Sequence, residues 1–420
     1  MLRFRSAAMV QMAGSMARLA ALFLAGRWIA HKLGATGVAT MGQVQNLVAL
    51  ASALGVQALQ SGFQQGAAAR TSSRARAAWR SSGILLGSLL VFAGSAAVAL
   101  SWRLELIALP FAGGWWIPLL PILILPNVWI AAWQGDALGR AHWTRASLWN
   151  AGSGILQALF WGGAVALWGI AGLVGAILSQ ALFLAPFASR FLAESRFVRP
   201  PRLGVWWKAW LPLLLAGAAP SITVPLAGII LRTLMLHQGW EGAGIWQAAA
   251  RIPELLFPMW NGVVGAWVLS RVAGPDGHKG LHPSILLQAF AGSLGLSMIL
   301  WLGAAPILHL AYGEGFERAI PLLRLQAFSE LPRTLAWIFA AALLGRSRAK
   351  DVILLEFVGF SVLCGGAFLL HGRWGLMAPA LASIVDNFIS LALAAGLWIR
   401  EKRRAQRALA GGVGMSTMNS

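Results

Sequence analysis

Acidic residues are scarce in this sequence: 13 Asp and Glu stand against 33 Lys and Arg in 420 residues. Charge of either sign amounts to only 11%, well under the ~25% of a soluble domain. That shortage excludes an ordinary water-soluble fold. Cysteine is scarcer still. Cys364 is the single thiol and lies in an apolar run, so there is no disulfide framework and the redox compartment stays open. No glycine-rich loop ends in Gly-Lys-Ser/Thr, which argues against ATP hydrolysis on a P-loop. The seven histidines show no metal-ligand pattern: His278 and His282 are four apart, but Gly280 and Pro283 spoil a helix there. The sequence predicts no enzyme, no metal and no cofactor.

What the chain has in excess is apolar length. Hydrophobic residues make up 58% of it, and apolar runs between Gly, Pro and Arg clusters predict twelve spans. They lie near 7–31, 38–62, 82–102, 116–138, 146–168, 171–193, 209–235, 244–268, 283–308, 319–344, 352–371 and 376–399. The first is too long for a secretory signal and is interrupted by Arg18, so it is expected to stay as a membrane helix. Of the 33 cationic residues, 23 fall in one set of loops and tails, four (Lys32, Arg103, Arg318, Arg373) in the opposite set, and six within spans. By the positive-inside rule both termini are cytoplasmic. The net charge of +20 then reflects topology and contact with anionic lipid on the cytoplasmic side. Nucleic acid is not an expected partner.

The chain repeats itself. Trp168-Gly169-Ile170 recurs as Trp374-Gly375-Leu376, Leu125-Pro126 as Leu331-Pro332, and Leu138-Gly139-Arg140 as Leu344-Gly345-Arg346, all at an offset of 206. Gly34 and Gly37 match Gly239 and Gly242 at 205, and Gln43 matches Gln247 at 204. Six spans per repeat insert with the same orientation, so the pseudo-two-fold axis runs along the membrane normal. The expected fold is an all-α polytopic membrane protein, with two six-helix bundles around a central cavity. Residues 1–193 form the first bundle and 209–399 the second. Residues 194–208 form a basic linker with Pro200 and Pro201, and 400–420 a basic, disordered cytoplasmic tail.

Charged and amide side chains inside spans are the candidate functional residues, because each is costly in hydrocarbon unless it faces protein or water. Arg18 sits at the middle of the first span, and Arg27 nearer its end. On the second span Gln43, Asn46, Gln57 and Gln60, with Gln64, fall on one stripe about 100° wide. Two readings fit the stripe: interhelical hydrogen bonding, or a cavity wall that binds sugar hydroxyls, which five amides favour. Gln247, Arg251 and Glu254 on the eighth span are spaced i, i+4, i+7, as are Gln326, Glu330 and Arg333 on the tenth. Each set is either a structural ion pair or a polar patch that exchanges partners during a cycle. Glu254, Glu330, Glu356 and Asp386 are the acids able to couple H+ or Na+. Asp136, at a helix end, is expected to be interfacial. Pro212, Pro220 and Pro225 mark the seventh span as kinked or broken.

These motifs resemble a known family. Lys32-Leu33-Gly34-Ala35-Thr36-Gly37-Val38 leading to Asn46, Gly244-Ile245-Trp246-Gln247-Ala248 with Arg251-Ile252, Leu325-Gln326 with Glu330, Arg333 and Trp337, and Glu356 with Trp374-Gly375-Leu376 look like the O-antigen and lipid III flippases. Those flippases belong to the multidrug/oligosaccharidyl-lipid/polysaccharide exporter superfamily. Glu330 stands where the family pattern has an aspartate. The resemblance implies inner-membrane flipping of an undecaprenyl-pyrophosphate-linked oligosaccharide for surface polysaccharide synthesis, alongside other polysaccharide-assembly proteins. On that implication Arg18, Arg27, Arg232, Arg251 and Arg333 would hold the pyrophosphate, since guanidinium forks suit phosphate oxygens. Arg324 lies off the polar face and snorkels. The rival within the superfamily is a cation-coupled exporter of small drugs, and the rival from another class a membrane-embedded glycan polymerase or ligase. Arg27 falls on Arg232 in the repeat, whereas Arg18 falls on Thr223 and has no cationic twin. Arg18 is therefore the foremost headgroup candidate.

Overall fold

The computed structural model describes residues 2–69, 72–105, 114, 116–192, 203–272, 281, 283–346 and 348–416. The described chain is helical nearly throughout. In order come α1 (Leu2–Ser52), a π-helical turn (Ala53–Gln57), α2 (Ala58–Ala69), α3 (Ser73–Arg103), α4 (Leu120–Gly139) and α5 (Trp143–Leu192). After these come α6 (Leu203–Met235), α7 (Gly239–Val272), α8 (Pro283–Leu302), α9 (Ala304–Tyr312), α10 (Ile320–Gly345), α11 (Ala349–Trp374) and α12 (Ala378–Ser416).

Several apolar stretches are about twice the ~20 residues that one crossing needs. Trp143–Leu192 has 50 residues, Leu213–Phe257 has 45, and Ala349–Arg404 has 56. Each is divided at a glycine with positive φ: Gly169 (57°), Gly239 (80°) and Gly375 (50°). Gly34 (63°) divides α1 in the same way. A side chain at such a φ meets the following carbonyl, so glycine is the residue that turns the chain there. α8 and α9 together are long and apolar enough for one further span and meet at a 72° bend. On this reading the six long apolar helices and the bent pair hold ten of the twelve expected spans, and α1 with its Gly34 turn covers the positions of the other two. The turn glycines also pair by repeat, Gly34 with Gly239 and Gly169 with Gly375, so the sequence repeat is a conformational one. Pro126 and Pro332, another repeat pair, each lie inside a helix, α4 and α10.

Contacts divide the described chain into two compact units, residues 1–248 with 308–319, and residues 249–307 with 320–420. In the first, α1 and α4 pack on α5, α2 packs on α4, and α6 lies against α1 and α2. One end is fixed by an aromatic group. Trp79 and Trp210 stack at 4.1 Å, with the Phe63 ring edge-on to Trp210 at 5.1 Å. Both indoles are satisfied: Trp79 Nε1 donates to the Gly62 carbonyl and Trp210 Nε1 to Ser82 Oγ, each at 3.0 Å. Beside them Asp136 is buried, 3.4 Å from Arg80 and 3.7 Å from Arg140. It is a core ion-pair acceptor, not an interfacial acid, because α3 lays Arg80 across it.

In the second unit, α10 packs on α8, α11 and α12, and α11 on α12. α6, expected to be kinked or broken at its prolines, is not broken there and runs from Leu203 to Met235. The tail, expected to be disordered, is helical through Ser416. Ala, Arg and Leu propagate a helix cheaply once α12 has nucleated it. Of the expected linker, residues 194–202 lie outside the described residues and 203–208 open α6.

Candidate functional site

The first unit holds the most densely bonded of the expected residues. Arg232, near the end of α6, is 1% exposed. Its Nη1 donates to Gln43 Oε1 at 2.9 Å, its Nη2 donates to Gln247 Oε1, and its guanidinium lies 5.8 Å from the centre of the Trp246 ring. Gln43 and Gln247 are repeat counterparts, so one fork joins equivalent positions of the two sequence halves. Glycines make the approach possible. A Cβ on Gly42 would lie 2.7 Å from Arg232 and 2.8 Å from Gln247, and one on Gly228 would collide with the Asn46 amide. Gly244 rests directly on the backbone of Ala35.

Arg18 packs its stem on α5, where a Cβ on Gly154 would lie 2.7 Å from Arg18 Cα and Cγ. Asn150 and Gln157 flank Gly154 on the same helix face, one turn to either side. Each is paired: Gln134 Nε2 donates to Asn150 Oδ1 at 2.9 Å, and Gln157 Nε2 to Gln180 Oε1 at 2.7 Å. Sequence reasoning missed these four amides. The i, i+3, i+7, i+10 spacing of Ser147, Asn150, Gly154 and Gln157 was the available signal. Arg27, expected to be a headgroup ligand, is exposed and donates from Nη1 to the Leu310 carbonyl at 2.9 Å.

The amide stripe of the second span is not one wall. Gln43 is buried, Asn46 half-buried, and Gln57 and Gln60 exposed. The π turn at Ala53–Gln57 wraps an extra residue and rotates α2 by roughly 100° relative to an unbroken helix. Gly55 in that turn sits against the Gly87 carbonyl of α3, a contact that places the turn.

In the second unit both expected ion pairs form within their helices. Arg333 Nη1 donates to Glu330 Oε1 at 3.0 Å, and Arg251 lies 3.7 Å from Glu254. Their settings differ. Glu330 is 1% exposed, whereas Glu254 is exposed and Arg251 half-buried. Glu330 Oε2 and, one turn on, Thr334 Oγ1 are buried with no hydrogen-bond partner among the described residues. Asp386, half-buried on α12, accepts from Ser390 Oγ at 3.1 Å and approaches Gly359 of α11. Asn387 donates to the Ser329 carbonyl at 3.0 Å. Gln326 and Glu356 are half-buried, and Arg324 is exposed with the Trp301 ring 5.5 Å away.

No protein-family model and no curated protein matches the chain. Solved structures do. An inward-facing multidrug resistance MATE family transporter of the MOP superfamily superposes with a TM-score of 0.73 at 16% identity, over 95% of this chain and 99% of the other. The outward-facing conformation of such a transporter gives 0.68 at 17%, over 95% of each chain. A MOP superfamily transporter from Pyrococcus furiosus, described as having a binding pocket of reversed polarity that suggests a different function, gives 0.68 at 16%, over 95% of each. The class that the fold defines is therefore the two-lobe, all-α membrane fold of MATE transporters. Identity this low shows the fold alone.

Proposed function

We propose that the chain is an alternating-access exporter in which two six-helix halves, residues 1–193 and 209–399, rock about a central cavity. The single observation that carries this reading is the match of fold along the whole chain to MATE transporters in both inward- and outward-facing states. The repeat of turn glycines supports it, since it makes the halves pseudo-equivalent rocking bodies. We place the protein in the bacterial inner membrane with both termini cytoplasmic, on the strength of its charge distribution.

Two substrate classes compete. The solved neighbours back the first more directly: drugs, as the multidrug resistance description says of them. The residues back the second, an anionic lipid-linked oligosaccharide, here an undecaprenyl-pyrophosphate sugar moving from the cytoplasmic to the periplasmic leaflet. Arg18 packs its stem on Gly154, on the α5 face that also carries Asn150 and Gln157 one turn to either side, and a guanidinium with amides nearby in the fold is the chemistry that suits a phosphate next to hydroxyls. Cationic drugs would be repelled there. The second is the reading we carry. Reversed pocket polarity in a MOP relative agrees with a fold that serves substrates of opposite charge.

For coupling we assign H+ or Na+ to the acids of the second unit, Glu330 first, with Glu254, Glu356 and Asp386 behind it. The support is the buried pair of oxygens, Glu330 Oε2 and Thr334 Oγ1, that lack partners among the described residues. A proton or a small cation would satisfy them.

A deletion strain separates the readings. Loss of surface polysaccharide with unchanged drug susceptibility is expected, restored by the plasmid-borne gene. Raised drug susceptibility with normal surface polysaccharide would overturn the lipid-linked reading in favour of drug export.

A further inference from the structure

We propose that Arg232 is the bolt of a gate that closes the charge-poor side of the protein. The inference rests on the alternating-access reading and adds the part that must open. The bolt lies seven residues before the turn at Gly239, and its partner Gln43 nine residues after the turn at Gly34, so both sit roughly 10–14 Å below those turns. That depth falls in the outer half of a ~30 Å hydrocarbon layer. The guanidinium donates to Gln43 Oε1 from one arm and to Gln247 Oε1 from the other. Gln43 belongs to the first sequence half and Gln247 to the second. Any motion that parts the halves on this side must pull one amide off the fork.

Three features make the closure tight. Gly244 seats the eighth span directly on the Ala35 backbone, while Gly42 leaves room for the Arg232 and Gln247 side chains and Gly228 for the Asn46 amide. Thr40, one turn before Gln43, is fully buried behind them. The turn segment Leu308–Ala319, though flanked by second-unit sequence, belongs to the first unit. Its anchor is Arg27, the repeat twin of Arg232, through the Leu310 carbonyl. Arg318 and Glu241, 4.0 Å apart on the exposed rim, add little, because water screens such a pair. The twins thus act in series, Arg27 latching the segment and Arg232 holding the halves beneath it.

The gate is also built to release. The fork holds amide oxygens, which bind a guanidinium less tightly than a carboxylate does and regain partners when water enters. A carboxylate at either glutamine would turn the bolt into a lock.

The test is accessibility from outside. In a Cys364→Ser background, Thr40→Cys serves as reporter, and intact cells are treated with a membrane-impermeant maleimide. With Arg232 present, labelling is expected to be slow. Arg232→Ala should raise its rate at least tenfold, and Gln247→Glu should lower it below the parent. A second reporter, Ser82→Cys beneath Trp210, monitors folding in permeabilised cells and should stay protected. If Arg232→Ala exposes that reporter too, Arg27→Ala decides, with an expected rise at Thr40 of about threefold, because an exposed arginine can be lost without leaving a buried hole. Unchanged Thr40 labelling, in Arg232→Ala with Ser82 protected or otherwise in Arg27→Ala, overturns the gate. Opening of the reporter without transport of any substrate would keep the gate and remove the exporter reading.

Discussion

Arg232 and Gln43 stand 189 residues apart in the chain, yet the guanidinium donates to the amide at 2.9 Å in a site closed to water. The same fork reaches Gln247, the repeat counterpart of Gln43. A duplicated sequence has thus produced two equivalent amides and a single cation to hold them. Its twin, Arg27, has been directed to a backbone carbonyl instead. Symmetry sets the scaffold, and departures from it mark the working parts. Arg18, matched by Thr223, is the other departure.

Arg18→Ala should reduce transfer of a lipid-linked pyrophosphate substrate by roughly 10- to 100-fold, the worth of one or two hydrogen bonds to a charged group. Arg18→Lys should keep part of it, as a point charge without the fork. Transfer assays on protein of equal expression check this. Equal rates in parent and Arg18→Ala would remove Arg18 from the headgroup site.

The ion pair on α10 should be asymmetric. Arg333→Ala leaves the Glu330 carboxylate in a site 1% exposed, whereas Glu330→Gln leaves a cation that is 43% exposed by side chain. Thermal unfolding in detergent should therefore show the larger loss for Arg333→Ala, roughly 3 kcal/mol, the scale for orphaning one partner of a buried pair. Glu330→Gln should lose less than half of that.

Gly169→Ala and Gly375→Ala should each destabilise by about 1–2 kcal/mol, because both residues hold a φ that an L side chain resists. Gly169 has no atom within 4 Å of where the new Cβ would be built, so backbone strain accounts for the loss there. Closely similar losses at the two positions, measured by unfolding midpoint, are the signature of the repeat. A loss at one position only would show that the two turns are not equivalent.

Much of the fold was legible because membrane spans announce themselves by length, and their turns by glycine. Gly34, Gly169, Gly239 and Gly375 all sit where repeat matching had pointed. The site was legible only in part. Arg232 and Gln247 were visible as residues, but their meeting depends on glycines on three spans, and no local pattern encodes that. The π turn at Ala53–Gln57 left no mark in composition, and it moved Gln57 and Gln60 off the face of Gln43. The amides Gln134, Asn150, Gln157 and Gln180 escaped because each is isolated in apolar sequence and finds its partner on another span or across the Gly169 turn. Asp136 looked interfacial from its place near a helix end, until α3 laid Arg80 over it.

Transfer in reconstituted proteoliposomes tests the central claim most directly. Vesicles would carry either a fluorescent undecaprenyl-pyrophosphate sugar or a cationic dye, with an imposed H+ or Na+ gradient. We expect gradient-dependent movement of the lipid-linked sugar between leaflets, lost in Arg18→Ala, and no movement of the dye. Dye transport with an immobile lipid-linked sugar would contradict the claim.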